Sequence, residues 1–227
     1  MRCMDSGIQL CQIISHHKNF HTKTGCFSAV CFYICRPHPH PCGRKDDTMN
    51  FLELAKKRYS VRGYLPKPVE QEKLDYILEC GRVAPTGVNA QPQRILVVNT
   101  PVGMEKMAEA AGIPGLYNAP CAIIICVEPE CSWTRKYDGH NIHEIDATIV
   151  TDHMILAATE QGLGTLWMCR FKPEIIRANF NIPENYVPVN VLLVGYAAPD
   201  ALYKSPDRHD AENMRKPIDE TVTYGTF

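Results

Sequence analysis

The chain has 227 residues, of which 45% are hydrophobic, so it contains enough apolar material for one large domain or two small ones. Its 24 Lys and Arg residues are balanced by 25 Asp and Glu residues, and the formal net charge of −1 argues against a nucleic-acid-binding protein, which needs a basic surplus. No stretch approaches the roughly 18 consecutive apolar residues of a membrane-spanning helix. We therefore expect a soluble globular protein of the cytoplasm.

The first 48 residues differ from the rest of the chain. They contain six of the eleven cysteines and five of the nine histidines, and they lack periodicity apart from the short apolar run 27–34. The cysteine spacings match neither paired zinc knuckles nor a regular finger, although zinc binding and a disulfide-linked extension remain alternatives. We predict that residues 1–48 are a disordered leader, or sequence translated upstream of a true start at Met49. Residues 49–227 are then the functional domain.

From Met49 onward, helical and strand patterns alternate. Apolar residues at helical spacing predict a helix directly after Met49 and further helices at 69–83, 102–111, 141–161 and 173–180. Short apolar and β-branched runs predict strands at 95–98, 122–127, 165–169 and 189–194. The second of these runs, Ala-Ile-Ile-Ile-Cys-Val, is typical of a fully buried strand. These elements predict one α+β domain, an α/β sandwich in which helices flank a central sheet.

The helix predicted at 141–161 carries apolar residues around most of its circumference. Such a helix is buried on more than one side, either in the core or in a subunit interface. A monomer that exposed this surface would aggregate, whereas a two-fold interface would bury it. We therefore predict an obligate homodimer built largely by this helix, with Ile149 near the centre of the interface.

Residue patterns for nucleophilic, phosphate-loop or metal chemistry are weak. The sequence has no Gly-x-Ser-x-Gly elbow, no Walker loop and no complete Gly-x-Gly-x-x-Gly motif. His140 and His143 could share one side of a helix, but a solvated helix start is the simpler interpretation, so no metal is predicted. Three cysteines in apolar strand contexts are expected to behave as small hydrophobic residues, namely Cys121, Cys126 and Cys169.

Three polar segments could bind an anionic, planar ligand. The first, Arg58-Tyr59-Ser60-Val61-Arg62, follows a helix end and places two guanidinium groups on either side of a hydroxyl. The second, the loop 84–92, contains Pro, Gly and Asn residues whose amides can face a planar ring. The third, Arg215-Lys216-Pro217, is a cationic pair near the C-terminus. A basic helix end on the surface would explain the first segment equally simply.

In this order, and together with a Gly-Leu-Gly-Thr turn followed by Trp167, the segments resemble the nitroreductase family of flavin enzymes. The resemblance covers about residues 50–227, and the stretch 132–139 is similar to that of compact, bacterial-type members. It implies an α+β fold with a central, mainly antiparallel sheet. It also implies an intertwined homodimer with FMN at the subunit interface.

The resemblance implies a role for each motif residue. Arg58 and Arg215 would hold the FMN phosphate, with Ser60 beside the phosphate or the ribityl chain. Arg62 would approach the pyrimidine edge of the ring, where a guanidinium stabilises the negative charge left by reduction. The other residues implied to bind the cofactor are Tyr59, Pro85, Thr86, Gly87, Asn89, Gln91, Leu166, Trp167 and Met168. Of these, residues 85–87 would pack from the partner subunit.

The implied activity is hydride transfer from NADH or NADPH, through FMN, to nitroaromatic, quinone or similarly electron-poor acceptors in a ping-pong cycle. No catalytic side chain is implied beyond the flavin, because the cofactor carries the chemistry and the protein supplies position and electrostatics. Alternatives within the same fold are reductive dehalogenation, reduction of an unsaturated bond and flavin degradation. A flavin-binding protein with little turnover is the non-enzymatic alternative.

Overall fold

The computed structural model of the protein describes residues 49–199, 201 and 215–227, so the predicted leader 1–48 lies outside the described residues. Helices α1 to α6 span, in order, Phe51–Lys57, Gln71–Arg82, Pro101–Ala111, His143–Glu160, Pro173–Phe180 and Ile218–Thr221. Within the described residues, no helix combines the length and apolar character needed to cross a membrane.

Four strands form one antiparallel sheet. Strands β1 to β4 span Gln93–Val98, Cys121–Val127, Gly164–Met168 and Val187–Gly195, and they lie in the order β1-β2-β4-β3. Every neighbouring pair is antiparallel, with one irregularity between Ile125 and Cys126 of β2. The expected α+β fold with a mainly antiparallel sheet is confirmed. The predicted helices and strands differ from the observed ones only at their ends, and the short helix α6 has no predicted counterpart.

Strand β2 is buried along its whole length, as its unbroken apolar sequence predicts. Successive side chains point to opposite faces of the sheet. Ala122 and Ile124 therefore belong to the core beneath α3 and α5, while Ile123 and Ile125 belong to the core beneath α2 and α4. The sheet thus carries one layer of helices on each face.

Helix α4 packs against both the sheet and α2. Gly81 of α2 permits the close approach, because a Cβ atom there would lie 2.8 Å from Cγ of Met154. Ala147, Val150 and Met154 of α4 are fully buried. The prediction that this helix is buried on more than one side is confirmed, and its own chain provides both of these contacts.

The segment after α1 continues as an extended chain beside β3. Ser60 forms a parallel bridge with Thr165, and the Val61 amide donates to the Thr165 carbonyl at 2.8 Å. Val61 is fully buried, so its neighbours Ser60 and Arg62 point to the opposite side of the segment. Gly164 makes room for this contact, since a Cβ atom there would lie 2.5 Å from Cγ2 of Val61.

A polar cluster connects the start of α2 to the residues that follow α4 and β4. The Tyr196 hydroxyl donates to Glu70 at 2.7 Å and accepts from Lys73 at 3.0 Å. Lys73 also donates to the Gln161 carbonyl at 2.9 Å. The hydrogen bond from Tyr196, followed by that from Lys67, lowers the pKa of Glu70 to about 2. The ionised form of Glu70 is therefore favoured in the folded protein.

We expect Gly164→Ala to destabilise the protein by about 1–3 kcal/mol, because the added methyl group overpacks a buried contact. The neighbouring Val61 is β-branched, so its side chain has little freedom to move away. In a Val61→Ala background the same substitution should cost less. Urea unfolding of the four proteins of this double-mutant cycle measures the difference, and equal costs in both backgrounds would contradict the contact.

Tyr196→Phe should reduce the loss of stability in acid. A Glu70 carboxyl whose pKa falls from 4.5 to about 2 on folding stabilises the native state above its unfolded pKa, and this contribution disappears as the pH falls towards the folded pKa. Between about pH 6 and pH 2.5, the wild-type protein should therefore lose more of its free energy of unfolding than the variant, as measured in urea. Tyr137→Phe, at a position that is 98% exposed, is the control and should follow the wild type.

Candidate functional site

Arg58 lies at the C-terminal end of α1 and is half-buried. Its backbone amide closes the helix by donating to the Leu54 carbonyl at 3.2 Å. Burial of the guanidinium and the nearby charge of Arg215 lower the pKa of Arg58, while Asp152 of α4 opposes this effect. The two arginines that are expected to share one anion are therefore close enough to repel each other.

Ser60 and Arg62 lie on the outer side of the segment beside β3. Tyr59 packs against the same apolar cluster as Val61, so side chains alternate between core and surface along residues 59–62. Arg62 is exposed, and its Nη1 donates to the Ser60 carbonyl at 3.4 Å. The segment thus presents a hydroxyl and a guanidinium on one side of a chain that is hydrogen-bonded to β3.

A cavity of about 210 Å³ adjoins Arg58 between the end of α1 and the turn that joins α4 to β3. In this turn Gly162 has a φ of +75°, a left-handed conformation that glycine adopts without steric cost. The residues that line the cavity with Arg58 are Lys57, Tyr59, Thr159, Gly162, Leu163, Gly164 and Ala197. Two cationic side chains thus border an open space at this turn.

The three predicted contact residues in β3 do not share one environment. The side chains of Leu166 and Met168 are each only 5% exposed and pack in the core beneath α3 and α5. Trp167 points to the opposite face, towards α2 and α4, and is partly buried there. A ligand beside β3 can therefore meet the backbone of Leu166 and Met168 more readily than their side chains.

The loop 85–91 has an uncommon backbone conformation. Three of its residues other than glycine have positive φ angles, namely Val88 at 48°, Asn89 at 58° and Gln91 at 52°. Such conformations cost on the order of 1–3 kcal/mol each and persist only where the surrounding structure holds them. Inside the loop, Thr86 Oγ1 accepts from the Gln91 amide at 3.0 Å, and the Thr86 carbonyl accepts from the Asn89 amide at 3.0 Å. This strain is typical of a functional element.

Asp146 is not among the predicted site residues, yet it anchors this loop. Its carboxylate is fully buried near the start of α4. It accepts hydrogen bonds from the Gly87 amide at 2.8 Å and from the Ser132 hydroxyl at 2.7 Å. In the sequence, the available signal is an acidic residue within an apolar helical run. That signal does not identify the partners, because Gly87 precedes Asp146 by 59 residues.

The segment 132–142 doubles back on itself next to the loop. A bridge pairs Thr134 with Asn141 and closes the segment at its base. Trp133 lies beside Gly87, since a Cβ atom added to this glycine would be 3.3 Å from Cβ of Trp133 and would overlap the Ile142 side chain. A residue with a side chain at position 87 would therefore require the Ile142 side chain or the loop to shift.

The predicted site residues thus fall into two groups. The first consists of the segment 58–62, the β3 residues and Arg215, and the second is the loop 85–91. The hydrogen bonds of the loop 85–91 run within the loop or to Asp146 of α4, whereas the segment 58–62 is bonded to α1 and β3. Each group has its own support, from β3 in the first case and from α4 in the second.

Two of the three histidines in the described part of the chain form local contacts through their rings. His143 Nδ1 lies 2.7 Å from the Asn141 side-chain oxygen, and His153 Nδ1 lies 3.0 Å from the Ile149 carbonyl oxygen. The described ranges contain no group of three or more His, Cys, Asp or Glu side chains placed to hold a metal ion.

Two of the three cysteines discussed above are buried thiols. Burial raises the pKa of Cys121 to about 12 and that of Cys126 to about 11, so both remain protonated at neutral pH. The prediction for Cys169 is wrong. Strand β3 ends at Met168, and Cys169 is exposed in the loop that follows.

Comparison with known proteins gives consistent results. The sequence matches the Nitroreductase family over residues 55–113 and 113–196. It is 28% identical over 163 residues to a Bacillus subtilis protein named FMN reductase (NAD(P)H), and this match covers 65% of each chain.

Solved structures share the fold. A nitroreductase family protein from Clostridium difficile 630 is 47% identical, with a TM-score of 0.72, over 79% of this chain and 100% of that chain. An FMN-dependent nitroreductase from Clostridium difficile R20291 is 27% identical, with a TM-score of 0.61, over 78% of this chain and 99% of that chain. Since the family match alone spans more than half of the sequence, the chain belongs to the nitroreductase family, as the resemblance predicts.

Proposed function

We propose that the protein is an FMN-dependent oxidoreductase that transfers hydride from NADH or NADPH to nitroaromatics, quinones or similar electron-poor acceptors. Proteins similar to it include an FMN reductase and an FMN-dependent nitroreductase. The observation that carries the proposal is that the charge of Arg215 acts on the half-buried Arg58 guanidinium, which borders a cavity of about 210 Å³. Two neighbouring guanidinium groups, one of them partly removed from water, favour a bound anion such as the phosphate of FMN.

The residues around Arg58 fit a phosphate ester in charge and in hydrogen-bonding capacity. Each guanidinium offers several N–H donors in a planar fork that matches phosphate oxygens. Ser60 adds a hydroxyl group nearby in the chain, and Lys57 borders the adjoining cavity. Asp152 acts to raise the pKa of Arg58 and so favours its cationic form, which is the form that binds an anion.

We assign Arg62 and Asn89 to the flavin ring. Arg62 is exposed, and a guanidinium at the pyrimidine edge of a flavin stabilises negative charge there, which favours the reduced state. Asn89 is exposed in a strained turn, and its amide can both donate and accept. Leu166 and Met168 would contact the flavin through their backbone. The other proposed contacts are Tyr59, Pro85, Thr86, Gly87, Gln91 and Trp167.

When bound, FMN supplies the hydride chemistry that amino-acid side chains do not provide. The residues of the chain then contribute binding, orientation and charge. We propose that NAD(P)H and the acceptor occupy the same position in turn, which implies ping-pong kinetics.

We further propose that the site is completed in a homodimer. The segment 58–62 is held by β3, whereas the loop 85–91 is held by Asp146 of α4. A second copy of the chain can bring the loop of one subunit to the arginines of the other. This arrangement would place FMN between the subunits.

An exposed apolar surface supports the same arrangement. Ile145, which is 48% exposed, lies on one face of α4 with the partly exposed Ile149 and Leu156. Phe51 of α1 is 71% exposed, and with Leu156 it lines a groove of about 380 Å³ between α1 and α4. Contiguous apolar surface of this kind is typical of a protein–protein interface. It lies next to the element that carries Arg58, so a partner bound there would adjoin the cofactor.

We also propose that residues 49–227 are sufficient for this function. Every residue assigned to the site lies in this range, as does the whole family match at 55–196. A protein that begins at Met49 should therefore bind FMN and turn over like the full chain.

The purified full-length protein tests the function directly. It should be yellow, release FMN on denaturation and oxidise NADH or NADPH when a nitro compound or a quinone is added. Flavin binding without turnover would favour the flavin-binding alternative. A colourless protein that does not take up added FMN would contradict the proposal.

Arg58→Ala should weaken FMN binding by roughly ten- to a hundredfold, because it removes a charge-assisted contact of about 1.5–3 kcal/mol. Titration of the FMN-free protein, followed by quenching of flavin fluorescence, measures the Kd. Lys56→Ala is the matched control, since it removes the same charge from the last turn of α1 and should leave the Kd unchanged. Equal FMN affinity in the Arg58→Ala and wild-type proteins would refute the assignment.

Ile145→Asp should abolish the dimer and release FMN. The substitution places an unpaired carboxylate at the proposed interface, yet a single chain tolerates it because Ile145 is exposed in the first turn of α4, where negative charge is favoured. Sedimentation and the flavin spectrum measure both effects. Val102→Asp, at a 64% exposed position on α3, should remain dimeric and yellow. A dimeric, FMN-loaded Ile145→Asp protein would exclude this interface.

A further inference from the structure

We infer that Asp146 is a positioning residue that holds the loop 85–91 in its FMN-binding conformation. This inference rests on the proposed function, because the flavin is the ligand that we assign to the loop. Asp146 is fully buried and acts through Gly87, whose amide lies 2.8 Å from its Oδ1 atom.

Burial of this carboxylate requires compensation. A buried carboxylate is unfavourable unless it is paired or hydrogen-bonded. Asp146 forms no ion pair with any residue in the described part of the chain. The Gly87 amide, the Ser132 hydroxyl and the first turn of α4 stabilise it instead. An apolar residue would fill this position at lower cost, so the carboxylate is best explained by the two groups that it holds.

The hydrogen bond from Gly87 to Asp146 joins the loop to α4. Among the described residues, no other hydrogen bond joins the segment 85–91 to another part of the chain. The remaining hydrogen bonds of the loop are internal, such as those that Thr86 accepts from the Asn89 and Gln91 amides. Internal bonds can preserve the shape of the turn, but they cannot set its position relative to α4.

The same carboxylate also holds the neighbouring segment. Asp146 Oδ2 accepts from Ser132, the residue directly before Trp133. Trp133 in turn lies against Gly87. Asp146 therefore holds the loop and the segment against which the loop packs, and a change at this residue should displace both.

Thr151 provides a matched control on the same helix. Its fully buried hydroxyl donates to the Ala147 carbonyl at 2.7 Å and lies 3.0 Å from Oδ1 of Asn190. Neither of these partners belongs to the loop 85–91. Thr151→Val should therefore destabilise the protein through a lost buried hydrogen bond without moving the loop.

The test is titration of the full-length, FMN-free proteins with FMN, together with their thermal unfolding. Binding by the wild type tests the proposed function, and its failure would overturn both that function and the inference. When the wild type binds, Asp146→Ala should raise the Kd by about tenfold or more, and Thr151→Val should change it by less than about twofold. The inference alone is overturned when Asp146→Ala binds FMN like the wild type. It is also overturned when Thr151→Val weakens FMN binding as much as Asp146→Ala does and lowers the Tm by a similar amount.

Asp146→Asn keeps the inference testable should the alanine protein fail to fold. Asparagine has nearly the same shape as aspartate, and its side chain can accept from the Gly87 amide and donate to the Ser132 oxygen. Its neutral oxygen is a weaker acceptor than a carboxylate oxygen. In the FMN-free Asp146→Asn protein, we expect the Gly87 amide to exchange hydrogen faster than in the FMN-free wild type. We expect its FMN affinity to lie between those of the wild type and Asp146→Ala. Unchanged exchange in 86–91 together with an unchanged Kd would overturn the inference.

Discussion

The packing of α4 between α2 and the sheet is the constraint on which the candidate site depends. Asp146 in the first turn of this helix anchors the loop 85–91, and Asp152 near its middle acts on Arg58. Thr159 in its last turn lines the cavity beside Arg58. Because close-packed interiors resist deformation, the buried residues between these positions, such as Met154, hold them in a constant relation. Hydrophobic packing thus determines the geometry of a polar site.

Several unfavourable local features adjoin this helix. The half-buried Arg58 is repelled by the charge of Arg215, three residues of one loop have left-handed conformations, and a carboxylate is completely buried. Each feature lowers stability by itself and is tolerated because the surrounding core is well packed. An anion bound between the arginines would relieve their repulsion, so ligand binding and stability are expected to be coupled.

Local patterns in the sequence predict most of the fold. Helices show a period near 3.6 residues, and the unbroken apolar run of β2 indicates a strand covered on both faces, as the structure confirms. The order of the short motifs predicts the family. Each motif can be recognised in the sequence because its polar residues are contiguous, as in the loop 84–92. Errors arise at element ends. Cys169 continues an apolar pattern in the sequence, but the hydrogen-bonded ladder of β3 stops one residue earlier.

The sequence by itself determined the element types and the family, and it indicated candidate residues for an anion site, because these depend on residues that are close together in the chain. Only the tertiary structure decided which distant residues meet. It brought Arg215 near enough to Arg58 for the two charges to interact, turned Leu166 and Met168 into the core, and joined Gly87 to Asp146. The physical reason is that such contacts depend on how helices and strands pack in three dimensions, which periodicity along the chain does not encode.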